Sequence, residues 1–115
     1  MANNETILSQ EPRQAIQDML TITEEMTARI ELETAALAQN DGTSFTMNEP
    51  EKEHVAEVYD KAAAEFHARL EELNNVDNAL MEKLKAANES LKQSTANNIR
   101  LLEKIDPENK NSGNA

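Results

Sequence analysis

The sequence predicts an all-α protein, and three observations favour this fold class. Glycine and proline, which interrupt helices, are scarce, with two glycines and three prolines in 115 residues. Apolar residues recur at steps of three and four over long stretches, which is the spacing of one helix face. No run of β-branched residues alternates with polar ones as in a β-strand. The expected architecture is an antiparallel helical hairpin with a long second helix and coiled-coil-like packing.

The first predicted helix spans residues 10–40 and follows a segment, residues 1–9, that is predicted to be disordered. Ser9 can cap the free amides at its start. Its apolar row consists of Ile16, Met19, Thr23, Met26, Ile30, Glu33 and Leu37. Gly42 can adopt the left-handed conformation that closes a helix, so the prediction continues with a connector at residues 41–48.

The second predicted helix spans residues 49–105, with Asn48 as its cap and Pro50 in its first turn. After this proline it contains no further Gly or Pro, and its apolar spacing stays near 3.5 residues. The segment 74–78 is rich in Asn and Asp, which are poor helix formers. Either the helix is continuous, as the unbroken apolar phase favours, or it breaks here into a three-helix arrangement. Residues 106–115 are predicted to be a disordered tail.

The charge distribution argues against nucleic acid and membrane as partners. The formal charge is −11, whereas phosphate backbones and anionic lipids select an excess of Lys and Arg. Residues 1–41 and 42–77 each carry a net charge of −6, but residues 78–115 carry +1. An acidic body joined to a near-neutral C-terminal third suggests two surfaces with different roles.

Several absences are compatible with a cytoplasmic protein and argue against membrane insertion. The chain has no cysteine for a disulfide or a thiolate metal site. Its first residues, MANNETILSQEPR, lack the basic and apolar regions of a signal peptide. No apolar run approaches the roughly eighteen residues that a membrane-spanning helix needs.

The sequence predicts no catalytic, cofactor-binding or metal-binding residues. Glu51 and His54 have the spacing of half a di-iron motif, but such sites need the motif twice. At the second histidine, His67, the matching position is Ala64. The serines lie in no Gly-rich turn, so no nucleophile or phosphate-binding loop is indicated. A metal-dependent helical-bundle enzyme is therefore the least favoured alternative.

The C-terminal part of the second helix holds the candidate site for a partner protein. Helix one is long enough to pair with residues 50–77, which leaves the apolar face of residues 78–105 without a neighbour. This face either packs back as a third helix or receives a partner helix, and both are compatible if the helix opens on binding. The candidate partner-binding residues are Leu80, Leu84, Leu91, Asn98, Leu101, Leu102 and Ile105.

Three short motifs occur in order along the chain. They are Glu33-Thr34-Ala35-Ala36-Leu37-Ala38-Gln39-Asn40-Asp41 at the end of helix one, Glu51-Lys52 with Val55 and Tyr59 at the start of helix two, and Asn98-Ile99-Arg100-Leu101-Leu102 near its end. In order and spacing the chain resembles the FlgN-type flagellar export chaperones of bacteria, over roughly residues 16–105.

This resemblance implies a cytoplasmic export chaperone without enzymatic activity or cofactor. Such a chaperone binds and masks the helical C-terminal segments of flagellar hook–filament junction proteins before secretion, and delivers them to the export apparatus. In the unloaded state we expect a homo-oligomer or helix exchange between copies. The main alternative is a structural or adaptor coiled-coil protein that associates with itself permanently.

Overall fold

The computed structural model describes residues 6–105, so residues 1–5 and the predicted tail at 106–115 lie outside the described residues. It contains four helices: α1 (Pro12–Ala38), α2 (Gly42–Ala68), the single turn α3 (Leu70–Leu73) and α4 (Asn78–Ile105). These helices cover 86% of the described residues, which include no strand. The predicted all-α fold class is confirmed.

Helix α1 packs against both α2 and α4. A connection of three residues, 39–41, makes α2 run antiparallel to α1. Near the start of α1, Arg13 bonds Asp77, which precedes α4. Near the end of α1, Thr34 bonds Asn98, so α4 runs parallel to α1. Within residues 6–105, no Cα atom of α2 lies within 8 Å of one in α4, and the bundle is therefore open between its two outer helices.

The continuous form of the second helix is wrong, and the three-helix form is observed. The chain leaves the helical conformation at Arg69 and again at residues 74–77, where poor helix formers cluster. Asp77 then caps α4, because its carboxylate accepts the amide of Leu80 at 3.0 Å. The seven-residue spacing of Leu73 and Leu80, which favoured a continuous helix, was misleading. Both leucines are buried in the same core cluster, although the chain reverses direction between them.

Residues 42–48 of the predicted connector at 41–48 are helical, so α2 starts at Gly42. Asp41 caps this start, since its carboxylate accepts the amide of Ser44 at 3.1 Å and the hydroxyl of the same residue at 2.7 Å. The left-handed position is Asn40, with a φ of 57°, and not the glycine. Asn tolerates this conformation through its short polar side chain, so helix one closes without the glycine.

Asn48 and Pro50, which were predicted to open the second helix, lie inside α2. Asn48 is buried and bonds α1: its amide donates to the carbonyl of Arg29 at 3.1 Å, and its oxygen accepts from the Arg29 guanidinium at 3.2 Å. Pro50 is exposed and has no N–H, so the carbonyl of Thr46 has no helical donor from that position. Pro50 therefore weakens the first two turns of α2.

The prediction of disorder at residues 1–9 is wrong for the part that the structure describes, which begins at Thr6. Leu8 is 2% exposed and belongs to the main core. The carboxylate of Glu65 accepts the amides of Ile7 at 2.8 Å and of Leu8 at 2.9 Å. In the sequence, the adjacent apolar residues Ile7 and Leu8 indicate that this segment is anchored, but two residues are too few to show a periodicity.

The two halves of the bundle are packed differently. One half contains the starts of α1 and α4 and the end of α2, and we call it the apolar-core half. Its buried cluster comprises Leu8, Ala15, Ile16, Met19, Leu20, Ala62, Leu73, Leu80 and Leu84. The other half, the polar-core half, buries Met26, Glu33, Ala36, Asn48, Val55, Ser94 and Asn98, and Thr23, with an exposure of 0%, lies between the two halves. Because apolar burial is the main stabilising term, the first half holds the bundle together.

A groove between helices α2 and α4 as the candidate binding site

An apolar groove lies between α2 and α4, where the two helices separate. Its volume is about 530 Å³. It is lined by Tyr59 of α2 and by Asn88, Leu91, Lys92, Thr95, Ala96 and Ile99 of α4. The α4 residues recur at steps of three and four, so one face of this helix forms one wall of the groove.

Tyr59 supplies the aromatic side chain of the groove and is half-buried. Burial raises the pKa of its hydroxyl, and the carboxylate of Asp60 raises it further. The phenol is therefore neutral at physiological pH. Its ring and its hydroxyl can contact an incoming side chain together, as tyrosines at protein interfaces do.

Further exposed apolar side chains follow on α4 between the groove and the end of the helix. Ile99 and Ile105 are each 50% exposed, and Leu102 is 37% exposed. These residues follow one another at steps of three, so they lie close together on the helix surface. Exposed apolar residues grouped in this way are typical of a surface that contacts another protein, whereas single ones are not.

The structure divides the predicted partner-binding residues into two groups. Buried against α1 are Leu80, Leu84 and Asn98. Half-buried or exposed are Leu91, Leu101, Leu102 and Ile105. The residues of the first group belong to the core, so in this conformation their side chains are not accessible to a partner. The prediction assumed that helix one covers a single neighbour, but α1 covers α2 with one side and α4 with another.

Of the seven residues that line the groove, only Leu91 belongs to the predicted binding set, and the large side chains of Tyr59 and Ile99 are among those that the prediction missed. The sequence places Tyr59 in the row that pairs with helix one, and Ile99 lies one position off the main apolar row of α4. The signal for the groove is the second row Leu91-Thr95-Ile99-Leu102, which runs beside the first. A wider apolar face of this kind indicates a helix with more than one neighbour.

Polar contacts hold α4 to α1 in the polar-core half. The hydroxyl of Ser94 donates to Glu31 at 2.8 Å, and the side-chain amide of Asn98 donates to the hydroxyl of Thr34 at 2.9 Å. A hydrogen bond of this kind contributes about 1 kcal/mol net, which is less than a fully buried leucine contributes. This half of α4 is therefore held more weakly than the half that enters the apolar cluster.

An ion pair joins α1 to α2 in the same half. The buried carboxylate of Glu33 accepts a hydrogen bond from the ammonium of Lys52, and a carboxylate oxygen of Glu49 lies 3.5 Å from that ammonium. Burial acts to lower the pKa of Lys52, but the hydrogen bond and charge of Glu33, with those of Glu49, outweigh it and raise the pKa. Lys52 is therefore protonated at neutral pH, and its hydrogen bond to Glu33 fixes the two helices relative to each other.

The part of the chain that the structure describes forms no metal site. No three His, Asp or Glu side chains come together there as a set of ligands. Glu51 and His54, the pair with di-iron spacing, are both exposed on α2. None of the helices in residues 6–105 combines the length and the hydrophobicity needed to cross a lipid bilayer.

Comparisons with known proteins found no similar sequence or structure. No family model matches the chain, no curated protein matches it, and no solved structure matches it. The fold and the groove define its structural class: an open three-helix bundle with an apolar groove between its outer helices. A function for this protein has to be argued from the residues of that groove.

Proposed function

We propose that the protein is a FlgN-type export chaperone, which binds and masks a helical C-terminal segment of a flagellar hook–filament junction protein before secretion. The observation that carries the proposal is the groove between α2 and α4, with Tyr59, Leu91 and the half-exposed Ile99 in its lining. An amphipathic helix placed there would cover this apolar surface and contact both outer helices. Residues 98–102, the third motif that resembles this family, form part of α4 beside the groove.

The proposed role requires binding and no bond-making step. A segment held in the groove has its apolar stripe covered, so it cannot associate with other copies of itself. The formal charge of −11 would oppose aggregation of the unloaded chaperone. In this proposal the protein acts in the cytoplasm, and the export apparatus receives the segment from it.

The test compares two variants in which a similarly exposed apolar residue becomes Asp. Ile99, 50% exposed, lines the groove, and Leu32, 53% exposed, lies on α1 outside it. Burying one such side chain contributes about 1.5–3 kcal/mol. Ile99→Asp should therefore weaken binding of a peptide from the client's C-terminal helix by about tenfold or more. Calorimetric titration measures the affinity.

The variant Leu32→Asp is the matched control and should bind the peptide like the wild type. Circular dichroism checks that both variants keep their helicity, because both replaced side chains are largely outside the core. The proposal fails if the wild-type protein does not bind such peptides. It also fails if the control variant loses as much affinity as Ile99→Asp.

A self-associating structural protein is the second candidate, and the same exposed surface favours it. Ile99, Leu102 and Ile105 of two copies could pack against each other across a two-fold axis. In that case light scattering gives the mass of a dimer for the wild type and of a monomer for Ile99→Asp, and the client peptide does not bind.

A further inference from the structure

Two hydroxyl groups in the lining of the groove have no hydrogen-bond partner among residues 6–105. They belong to Tyr59 of α2 and Thr95 of α4, whose side chains are half-buried. Every fully buried side-chain nitrogen or oxygen in the same part of the chain has a partner, so these two hydroxyls are accessible to solvent. Each can donate one hydrogen bond and accept others. The apolar groove therefore presents a free hydroxyl on each wall.

Thr95 interrupts an apolar row on α4, because it lies between Leu91 and Ile99 at about one turn from each. A valine has nearly the same shape and would make this row continuous. A threonine inside a helix often donates its hydroxyl to the carbonyl four residues earlier, as three threonines of α1 do. Thr95 forms no such bond within the described chain. Its hydroxyl is therefore available to a neighbouring molecule.

A helix that covers the groove removes both hydroxyls from water. A polar group that is buried without a partner weakens association by about tenfold or more. The backbone of the bound helix cannot supply the partner, because its amides and carbonyls are bonded to each other and lie behind its side chains. The hydroxyls of Tyr59 and Thr95 therefore require a polar side chain in the stripe of the helix that faces them.

The side of α4 that faces α1 shows which polar side chain fits. Asn98 is 8% exposed there, and its side-chain amide donates to the hydroxyl of Thr34 at 2.9 Å. A carboxamide has two N–H donors and one acceptor oxygen, so it can bond two hydroxyls at once. A charged side chain would lose more hydration on entering an apolar groove. Asn or Gln is therefore the side chain that best matches the two free hydroxyls.

We propose that the helix bound in the groove carries Gln or Asn within its apolar stripe, and that this carboxamide bonds the hydroxyls of Tyr59 and Thr95. A stripe with Leu or Met at the same level leaves both hydroxyls without a partner, so the hydroxyls fix the position of the helix along the groove. They also distinguish among amphipathic helices of similar hydrophobicity. This inference rests on the proposed function, because it requires that the groove binds a helix.

A series of synthetic amphipathic peptides tests the proposal. The parent peptide has Met at every position of its apolar stripe. In each other member one Met is replaced by Gln, which has nearly the same length, and the series moves this Gln through all positions of the stripe. Each peptide is titrated calorimetrically into the full chain and into its variant Tyr59→Phe/Thr95→Val. The variant lacks both hydroxyls but keeps nearly the same side-chain shapes.

The expected result is a change in the preference between Gln and Met. The measured quantity is the dissociation constant of the parent peptide divided by that of the Gln peptide. For one position of Gln, this ratio should be larger for the wild type than for the double variant by about tenfold or more. Comparing ratios cancels the general preference of an apolar groove for Met, because both proteins share it.

The variant Thr46→Val is the matched control. The hydroxyl of Thr46 also has no partner in the described part of the chain, but this residue is exposed on α2 and does not line the groove. Thr46→Val should therefore show the same ratios as the wild type. Circular dichroism checks the helicity of all variants. If the double variant loses helicity, the single variants Tyr59→Phe and Thr95→Val replace it, and each should lower the ratio in part.

The outcomes separate this inference from the proposed function. If the peptides bind the wild type but no position of Gln gives a larger ratio than in the variant, the hydroxyls do not select the bound helix. The inference is then wrong, while the proposed function stands. An equal fall of the ratio in Thr46→Val would also overturn the inference. If no peptide of the series binds the wild type, the groove does not accept amphipathic helices, and both the inference and the proposed function are wrong.

Discussion

Glu33 is a carboxylate in the apolar row of the first helix, at a position where a large apolar residue is the usual choice. It is 3% exposed, and the ammonium of Lys52 satisfies it. Removing two charges from water has a penalty of several kcal/mol, which their attraction and hydrogen bond about offset. The pair therefore adds little net stability, but it specifies how α1 and α2 lie against each other in the half where the apolar core is thin.

Breaking this ion pair on one side should destabilise the protein strongly. Lys52→Met leaves the Glu33 carboxylate buried without a partner. We expect a loss of about 3 kcal/mol, the low end of the usual range, because Lys52 itself keeps 26% of its side chain exposed. The double variant Glu33→Leu/Lys52→Met should recover most of that loss, since an apolar pair replaces the ions. Urea unfolding followed by circular dichroism measures both; equal stability of the two variants would contradict the expectation.

The pH dependence of unfolding gives an internal check on the same pair. The folded-state pKa of Lys52 is raised above the ordinary value of 10.5. A raised pKa of a base stabilises the fold below the unfolded-state pKa, and this contribution is lost as the pH rises through the folded-state value. The wild type should therefore lose stability above about pH 10.5, and the double variant, which has neither charge, should lose less.

At the scale of helices, the two prolines Pro12 and Pro50 differ in their effect. Pro12 opens α1, where an N–H would have no helical acceptor, whereas Pro50 lies in the interior of α2. Pro50→Ala should raise the free energy of unfolding by about 1–3 kcal/mol, because it restores a hydrogen bond to Thr46 and removes the ring's clash with the preceding turn. Pro12→Ala is the control and should change it by less than about 0.5 kcal/mol. Thermal unfolding compares them, and equal effects would mean that residues 42–49 are not helical in solution.

The helices also show what the sequence can and cannot predict. The apolar spacing predicts that these segments are helical, and both ends of α1 lie within two residues of the predicted bounds. The start of α2 was misplaced because two capping patterns compete: Asp41 with Ser44, and Asn48 with Pro50. Both patterns satisfy the residue preferences for helix capping. The structure adopts the pattern that begins at Asp41, and Asn48 then contacts α1 from inside the helix. The groove itself depends on α2 and α4 failing to pack together, a property of a helix pair that the pattern of either helix does not encode.

At the scale of the whole molecule, the two ends of the described chain contribute unequally to stability. Leu8 is 2% exposed in the main cluster, whereas Ile105 is 50% exposed at the end of α4. Leu8→Ala should lower the free energy of unfolding by about 2–4 kcal/mol, because it leaves a cavity in the apolar-core half. Ile105→Ala should lower it by less than about 1 kcal/mol. Denaturant unfolding measures both, and a small effect of Leu8→Ala would show that the N-terminal segment is not docked.

The separation of α2 and α4 also bears on specificity. Because no Cα atoms of the two helices come within 8 Å of each other in residues 6–105, side chains along the groove do not interlock as they do between close-packed helices, and the width of the groove is less tightly fixed. A bulkier residue of an occupant can be accommodated by a small tilt of one outer helix over α1, without compression of packed atoms. A site built in this way discriminates weakly among Leu, Met and Phe, so a single groove of this shape is suited to several ligands whose apolar stripes differ in detail.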